Sequence, residues 1–98
     1  MEYIELEVYS QSIDRAIIRM PSQSFPGIVI QGETLSSFLR LARSSYEKLP
    51  DTANPELVDT SRELMESLQK LVSHYEATLG KHNIPLPYST VRTKTDSS

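Results

Sequence analysis

The sequence predicts an α+β fold, a three-strand antiparallel sheet (about 3–10, 15–20 and 28–31) with two amphipathic helices (about 34–49 and 55–80) packed on one face. Three observations carry this reading: apolar and polar residues alternate near the N-terminus, a β-branched triplet follows a Pro/Gly loop, and two long segments then repeat their apolar residues at helical spacing. From Tyr3 to Ser10, Ile4, Leu6 and Val8 fall on one face and Glu5, Glu7 and Tyr9 on the other. That is the pattern of a half-buried strand. Polar residues within 11–14 suit a turn, and Arg15 to Met20 continues with Ala16, Ile18 and Met20 on one face and Arg15, Ile17 and Arg19 on the other. The hairpin so formed sets Arg15 or Arg19 across from Glu5 or Glu7, an exposed pairing worth a few tenths of a kcal/mol.

Pro21 to Gly27 contains two prolines and a glycine, so it reads as a shaped connection and not a regular element. Phe25 is a large aromatic in that polar loop; it either plugs the core or stays out as a contact, and the plug is the expectation. Ile28-Val29-Ile30 reads as a strand buried on both faces or lying centrally. Gly32 then permits a sharp turn, and Glu33 or Thr34 can accept from the free N–H groups that open a helix. Leu35, Phe38, Leu39, Ala42, Tyr46 and Leu49 form the apolar stripe of that first helix, which ends before Pro50. Asn54-Pro55-Glu56 starts the second, with Asn54 as N-cap, and Gly80 is its expected stop. About 25 helical residues span roughly 37 Å against roughly 20–27 Å for the strands, so the second helix outruns the sheet and part of its apolar surface calls for a partner chain. A homo-oligomer through helix 55–80 is the expectation. Ile84-Pro85-Leu86-Pro87-Tyr88 should fold back as an extended segment onto sheet or helix. Residues 1–88 make one domain and 89–98 a flexible tail, in which Thr90 and Val91 could add a short edge strand.

Ninety-eight residues hold a single modest core. With no cysteine there is no disulfide, no thiolate metal site and no cysteine nucleophile, which suits a cytoplasmic protein. Glutamates stand where a signal peptide would be basic, and no apolar run reaches membrane-spanning length. The net charge is −3 and the ten basic residues are scattered, which argues against nucleic-acid binding.

Candidate chemistry is sparse. Gln31 to Ser37 brings backbone N–H groups and hydroxyls to a helix start, a generic anion-binding arrangement, but Glu33 would repel a phosphate and no P-loop lysine follows. Ordinary capping is the plainer reading, and a phosphate site there requires Arg19, Arg40 or Arg43 nearby. His74 and His82 straddle a helix end and are not a ligand pair, so no metal site is expected. Glu63 and Glu66 read as solvated charge, and no catalytic triad or nucleophile elbow is present. The expectation is a protein that is not an enzyme and holds no cofactor.

The stretch Phe25-Pro26-Gly27-Ile28-Val29-Ile30-Gln31-Gly32-Glu33-Thr34-Leu35 resembles a family of small uncharacterised bacterial and phage proteins, a domain of unknown function whose pattern is close to F-P-G-V-V-I-Q-G-D-S-L. Arg19-Met20-Pro21, His74-Tyr75-Glu76 and Ile84-Pro85-Leu86-Pro87-Tyr88 are similar to further segments of that family, so the resemblance covers about residues 3–88. It implies no chemistry. Ser22-Gln23-Ser24 departs from the pattern, which has one or two arginines there, and this weakens an anion-binding role for the loop.

Two functional readings follow. The first is a small-ligand binder, an oligomer whose pockets lie between chains where 21–27, 31–34 and 84–88 converge; a phage-encoded protein of this kind would sequester a nucleotide-derived immune signal. Ligand sites favour loops held by rigid elements, and Arg19, Phe25, Gln31, Gly32, Thr34, Ser36 and Tyr88 are its candidate residues. Arg19 would face a phosphate, Gln31 would read a base or amide edge, and Phe25 or Tyr88 would stack. The second is a protein-interaction module, a small acidic inhibitor or immunity-type partner using its acidic face or the spare apolar end of helix two.

Overall fold

A computed structural model of the chain describes residues 2–11 and 15–89. The turn expected at 12–14, the tail beyond Ser89 and the edge strand considered at Thr90 and Val91 lie outside the described residues. Five elements follow in the expected order: β1 (Glu7–Gln11), β2 (Arg15–Arg19), β3 (Gly27–Ile30), α1 (Gly32–Glu47) and α2 (Pro55–Lys81). The chain has an α+β fold with an open antiparallel sheet of order β1-β2-β3.

The first strand is shorter than its alternation. Glu7 pairs with Arg19, so residues before Glu7 would have to pair beyond Arg19, where Pro21 supplies no N–H to a ladder. Between Val8↔Ile18 and Ser10↔Ile17 the register slips, leaving Tyr9 as the extra residue of a β-bulge. Among the described residues β3 is an edge strand, paired with β2. Ile28 and Val29 are exposed and Ile30 half-buried, which corrects the expectation of a central or doubly buried strand. A β-branched run satisfies the pleated backbone whether or not anything covers it.

The layering also differs from the expectation of helices packed on one face of the sheet. α1 and α2 pack broadly on each other, while the strands contact one another and barely touch the helices. Phe25 is consequently 82% exposed, because the sheet has no core beneath it to plug.

α1 starts at Gly32, two residues before its predicted start. Gln31 sits at the N-cap and its carbonyl accepts from Leu35 N–H at 3.0 Å, but its side chain makes no cap. Neither Glu33 nor Thr34 is the cap, since both lie inside the first turn. Gly32 is buried, and a Cβ there would overlap the Tyr75 ring of α2. α2 begins as predicted, with Asn54 Oδ1 accepting from Glu56 N–H at 2.7 Å and Pro55 at the first helical position. Replacing Asn54 by Ala should cost about 1 kcal/mol in chemical denaturation, and an unchanged midpoint would show that the cap is idle. The helix runs through Gly80 instead of stopping there. Asn83, at φ 58°, is the residue in the left-handed region, and Ile84 N–H reaches back to the Leu79 carbonyl at 2.9 Å.

Leu39 of α1 and Val72 of α2, each 1% exposed, form the fully buried core. At the other end of the pair the Arg62 guanidinium lies 5.9 Å over the Tyr46 ring and bonds Asp59 at 3.1 Å. Beyond Asn83 the chain doubles back, and the Tyr88 hydroxyl donates to Glu76 Oε2 on α2 at 2.8 Å. The predicted return of 84–88 onto a helix is thus made by Tyr88, with Leu86 half-buried and Ile84 exposed.

Candidate functional site

Helical spacing on α1 brings Glu33, Ser36, Ser37, Arg40 and Arg43 to one side of the helix, and the returning segment sets Tyr88 and Ser89 against them. Together with Leu39 these residues line a cleft of about 200 Å³. Arg43 donates to Gln69 of α2, whose amide donates on to Ser73 Oγ at 3.0 Å, so the Arg43 side chain is held from behind. Among the described residues the Arg40 guanidinium makes no hydrogen bond or ion pair. Burial, and then the hydrogen bond to the Glu76 carboxylate, push the Tyr88 phenol up to about 12, while a hydrogen bond with Ser36 works in the opposite direction. Tyr88 therefore stays a neutral, fixed phenol throughout the physiological range.

Of the seven residues singled out in the sequence, Ser36 and Tyr88 meet in this cleft. Gly32 lies under Tyr75, serving the packing of α1 on α2. Gln31 is exposed where β3 passes into α1, and Thr34 is half-buried in the first turn. Phe25 lines a separate apolar groove along the sheet with Ile18, Met20, Pro26 and Val29.

Arg19 is committed elsewhere. Its Nε donates to Glu7 Oε1 at 2.7 Å and a terminal nitrogen donates to the Gln23 carbonyl at 3.1 Å, tying the hairpin to the loop that follows it. This is one of the cross-strand pairs expected from the sequence. The bond from Arg19, and then one from the Tyr9 hydroxyl, hold the Glu7 carboxyl down at about 2. A carboxyl depressed in the folded state adds stability above its unfolded value, and that contribution is lost as pH falls from about 4.5 through about 2. In an NMR titration Glu7 should protonate near pH 2, and in the Arg19→Gln chain at a higher pH, short of its ordinary 4.5 because the Tyr9 bond remains. Equal midpoints in the two chains would mean that the pair does not form in solution.

The condition placed on a phosphate site, a nearby arginine, is met by Arg40 and Arg43 and not by Arg19. Sequence reasoning left these two outside the site. Ser36, Arg40 and Arg43 are spaced four and three apart, which puts them on one side of the helix, and a solvated helix face has the same spacing. The member that closes the cleft, Tyr88, is placed by a chain reversal that no local pattern encodes.

Among the described residues, no group of three His, Asp or Glu side chains is placed to hold a metal ion, and no helix is long and apolar enough to cross a membrane. A family model described as a family of unknown function (DUF6959) matches residues 1–88. No curated protein and no solved structure matches the chain.

Proposed function

Since the chain belongs to this family of unknown function, its functional reading starts from its own geometry, and we propose a non-enzymatic binding protein for a small phosphate-bearing, nucleotide-like ligand. Its working form in this proposal is a homo-oligomer. The observation that supports it is the Arg40 guanidinium, unpaired among the described residues, facing the same cleft as Arg43, two serine hydroxyls and a fixed phenol. Two guanidiniums suit a phosphate group, and hydroxyls complete its hydrogen bonds. Glu33 on the rim favours a ligand that also carries an amino or hydroxyl donor, as a nucleotide does, over bare phosphate. At about 200 Å³ the cleft holds only part of such a ligand, since pockets for drug-sized molecules run to about 300–1,000 Å³. The remainder falls to a second chain, which is how Arg19, Phe25 and Gln31 could reach the same molecule. Sequestration of a nucleotide-derived signal is the role such a protein would play.

Native mass spectrometry and calorimetry against a nucleotide panel, with inorganic phosphate as reference, test the reading. A retained or titratable nucleotide whose affinity falls at least tenfold on Arg40→Ala is the expected result. A chain that ignores the panel, or binds it equally well without Arg40, sinks the assignment. Losses on Arg19→Ala and Gln31→Ala as well would show that the sheet loops of another chain complete the pocket.

A second reading, a protein-interaction module, is favoured by the sheet. Among the described residues Val8, Phe25, Ile28 and Val29 are exposed and both β1 and β3 are edge strands, an unusual apolar presentation. A stoichiometric protein partner that is lost on Ile28→Lys and kept on Arg40→Ala, in a chain that ignores nucleotides, would replace the first reading by the second.

A further inference from the structure

Among the described residues, α2 carries a broader apolar surface than α1 covers. Val58, Met65 and Val72 are half-buried or buried, facing α1. Leu57, Leu64 and Leu71, each one position earlier, are 49%, 56% and 56% exposed. Their spacing is seven residues, and Ser61, Leu68 and Tyr75 interleave them four residues after each leucine. This is a 3.5-residue repeat, and a stripe with that period stays aligned along a neighbouring helix, whereas it drifts around an isolated one. Beside the stripe, Phe38, Leu41, Ala42 and Ser45 of α1 and Ser61, Leu64 and Leu68 of α2 line an apolar groove of about 460 Å³. Its small members leave room for an incoming side chain.

We infer that the occupant of this seam is the α2 helix of a second copy of the same chain, running antiparallel, so that two helical pairs close into a four-helix bundle. The charges on α2 single out this partner and this direction. Its first half, residues 55–66, carries Glu56, Asp59, Glu63 and Glu66 against Arg62; its second half, 67–81, carries Lys70 and Lys81 against Glu76. With Leu64 opposite Leu68 of the partner subunit, an antiparallel copy brings Glu63 within one residue of Lys70 of the partner subunit, whereas a parallel in-register copy sets Glu63 beside Glu63 of the partner subunit. Antiparallel helix dipoles act in the same direction. Thr60, Ser67 and His74, which border the stripe away from α1, bear no fixed charge, so two copies approach without repulsion there. In the register where every leucine of the stripe meets an interleaving position, Leu64 lies opposite Leu68 of the partner subunit and Leu71 opposite Ser61 of the partner subunit. The inference rests on the homo-oligomeric part of the proposed function and names its interface.

The chain has no cysteine, so engineered ones report contacts cleanly. Light scattering should give twice the chain mass, falling to a single chain mass for Leu64→Glu with the helical circular dichroism unchanged, since Leu64 is exposed. A mixture of Ser61→Cys and Leu71→Cys chains should form a disulfide-linked dimer, and neither variant alone should, because like positions then lie about 15 Å apart along the axis, beyond disulfide reach. Cross-linking by either variant alone overturns the antiparallel register. A dimer that survives Leu64→Glu overturns this interface but keeps the homo-oligomer. A monomer at every concentration overturns both, and nucleotide binding by that monomer would leave the cleft standing on its own.

Discussion

Leu39→Ala is expected to lower the free energy of unfolding by about 2–5 kcal/mol, the range for emptying a leucine from a closed core. Leu39 and Val72 are the two fully buried apolar side chains among the described residues. A larger core could relax around the lost volume, but here the α1–α2 contact has few other tightly packed members to move in. Small domains have only about 5–15 kcal/mol in total, so a substantial part of this chain's stability goes with one side chain. Leu41→Ala, on the same helix but with 56% of its surface exposed, is the control and should cost well under half as much when both are measured in dilute protein. Urea denaturation followed by circular dichroism separates the two; equal midpoint shifts would show that the core is not where the structure puts it.

Gly32→Ala is the second large effect. Alanine is the better helix former, so on an open surface this change would stabilise α1 by up to about 1 kcal/mol. At position 32 the new methyl group instead collides with the Tyr75 ring, which has to swing away and drag its contacts on α2 with it. Overpacking of this kind costs about 1–3 kcal/mol, and the sign of the measured change decides which term dominates. The collision has one partner, so a double-mutant cycle isolates it: in a Tyr75→Ala background, Gly32→Ala should be neutral or stabilising. Destabilisation of the same size in both backgrounds would point to the backbone and not to the ring. The glycine that looked in the sequence like a turn or ligand residue is thus explained by a close approach between helices.

Elements governed by neighbours in sequence were legible. The alternation of residues 15–20 became β2, Asn54-Pro55 opened α2, and the charge pair between β1 and β2 formed as Glu7 with Arg19. What failed in each case depended on a distant residue. The composition of Ile28-Val29-Ile30 suits a strand that is doubly buried or central, but exposure is decided by whether a helix covers the sheet, and among the described residues the helices barely touch it. Phe25 fails for the same reason. Gly80 suggested a helix stop, yet a glycine also tolerates the helix, and Asn83 could take the left-handed position three residues on. The candidate site was legible in part. Ser36 and Tyr88 meet as members of one cleft, but the sequence offers Arg40 and Arg43 only as a condition on a phosphate site, because a polar helix side shows nothing in sequence to distinguish a solvated surface from the wall of a recess.

The near absence of contact between strands and helices has a consequence for how the chain comes apart. Cooperativity is transmitted through shared buried surface, and the sheet shares little with the helical pair. Hydrogen exchange in a single chain should therefore fall into two tiers, with the amides of β1–β3 opening at low free energy and those around Leu39 and Val72 exchanging only with loss of the helical pair. Denaturation followed at a hairpin probe such as Tyr9 would then run ahead of the helical signal, so that one midpoint does not describe the whole chain. Whatever seals the sheet in the assembled protein, a ligand or another chain, would merge the two transitions into one.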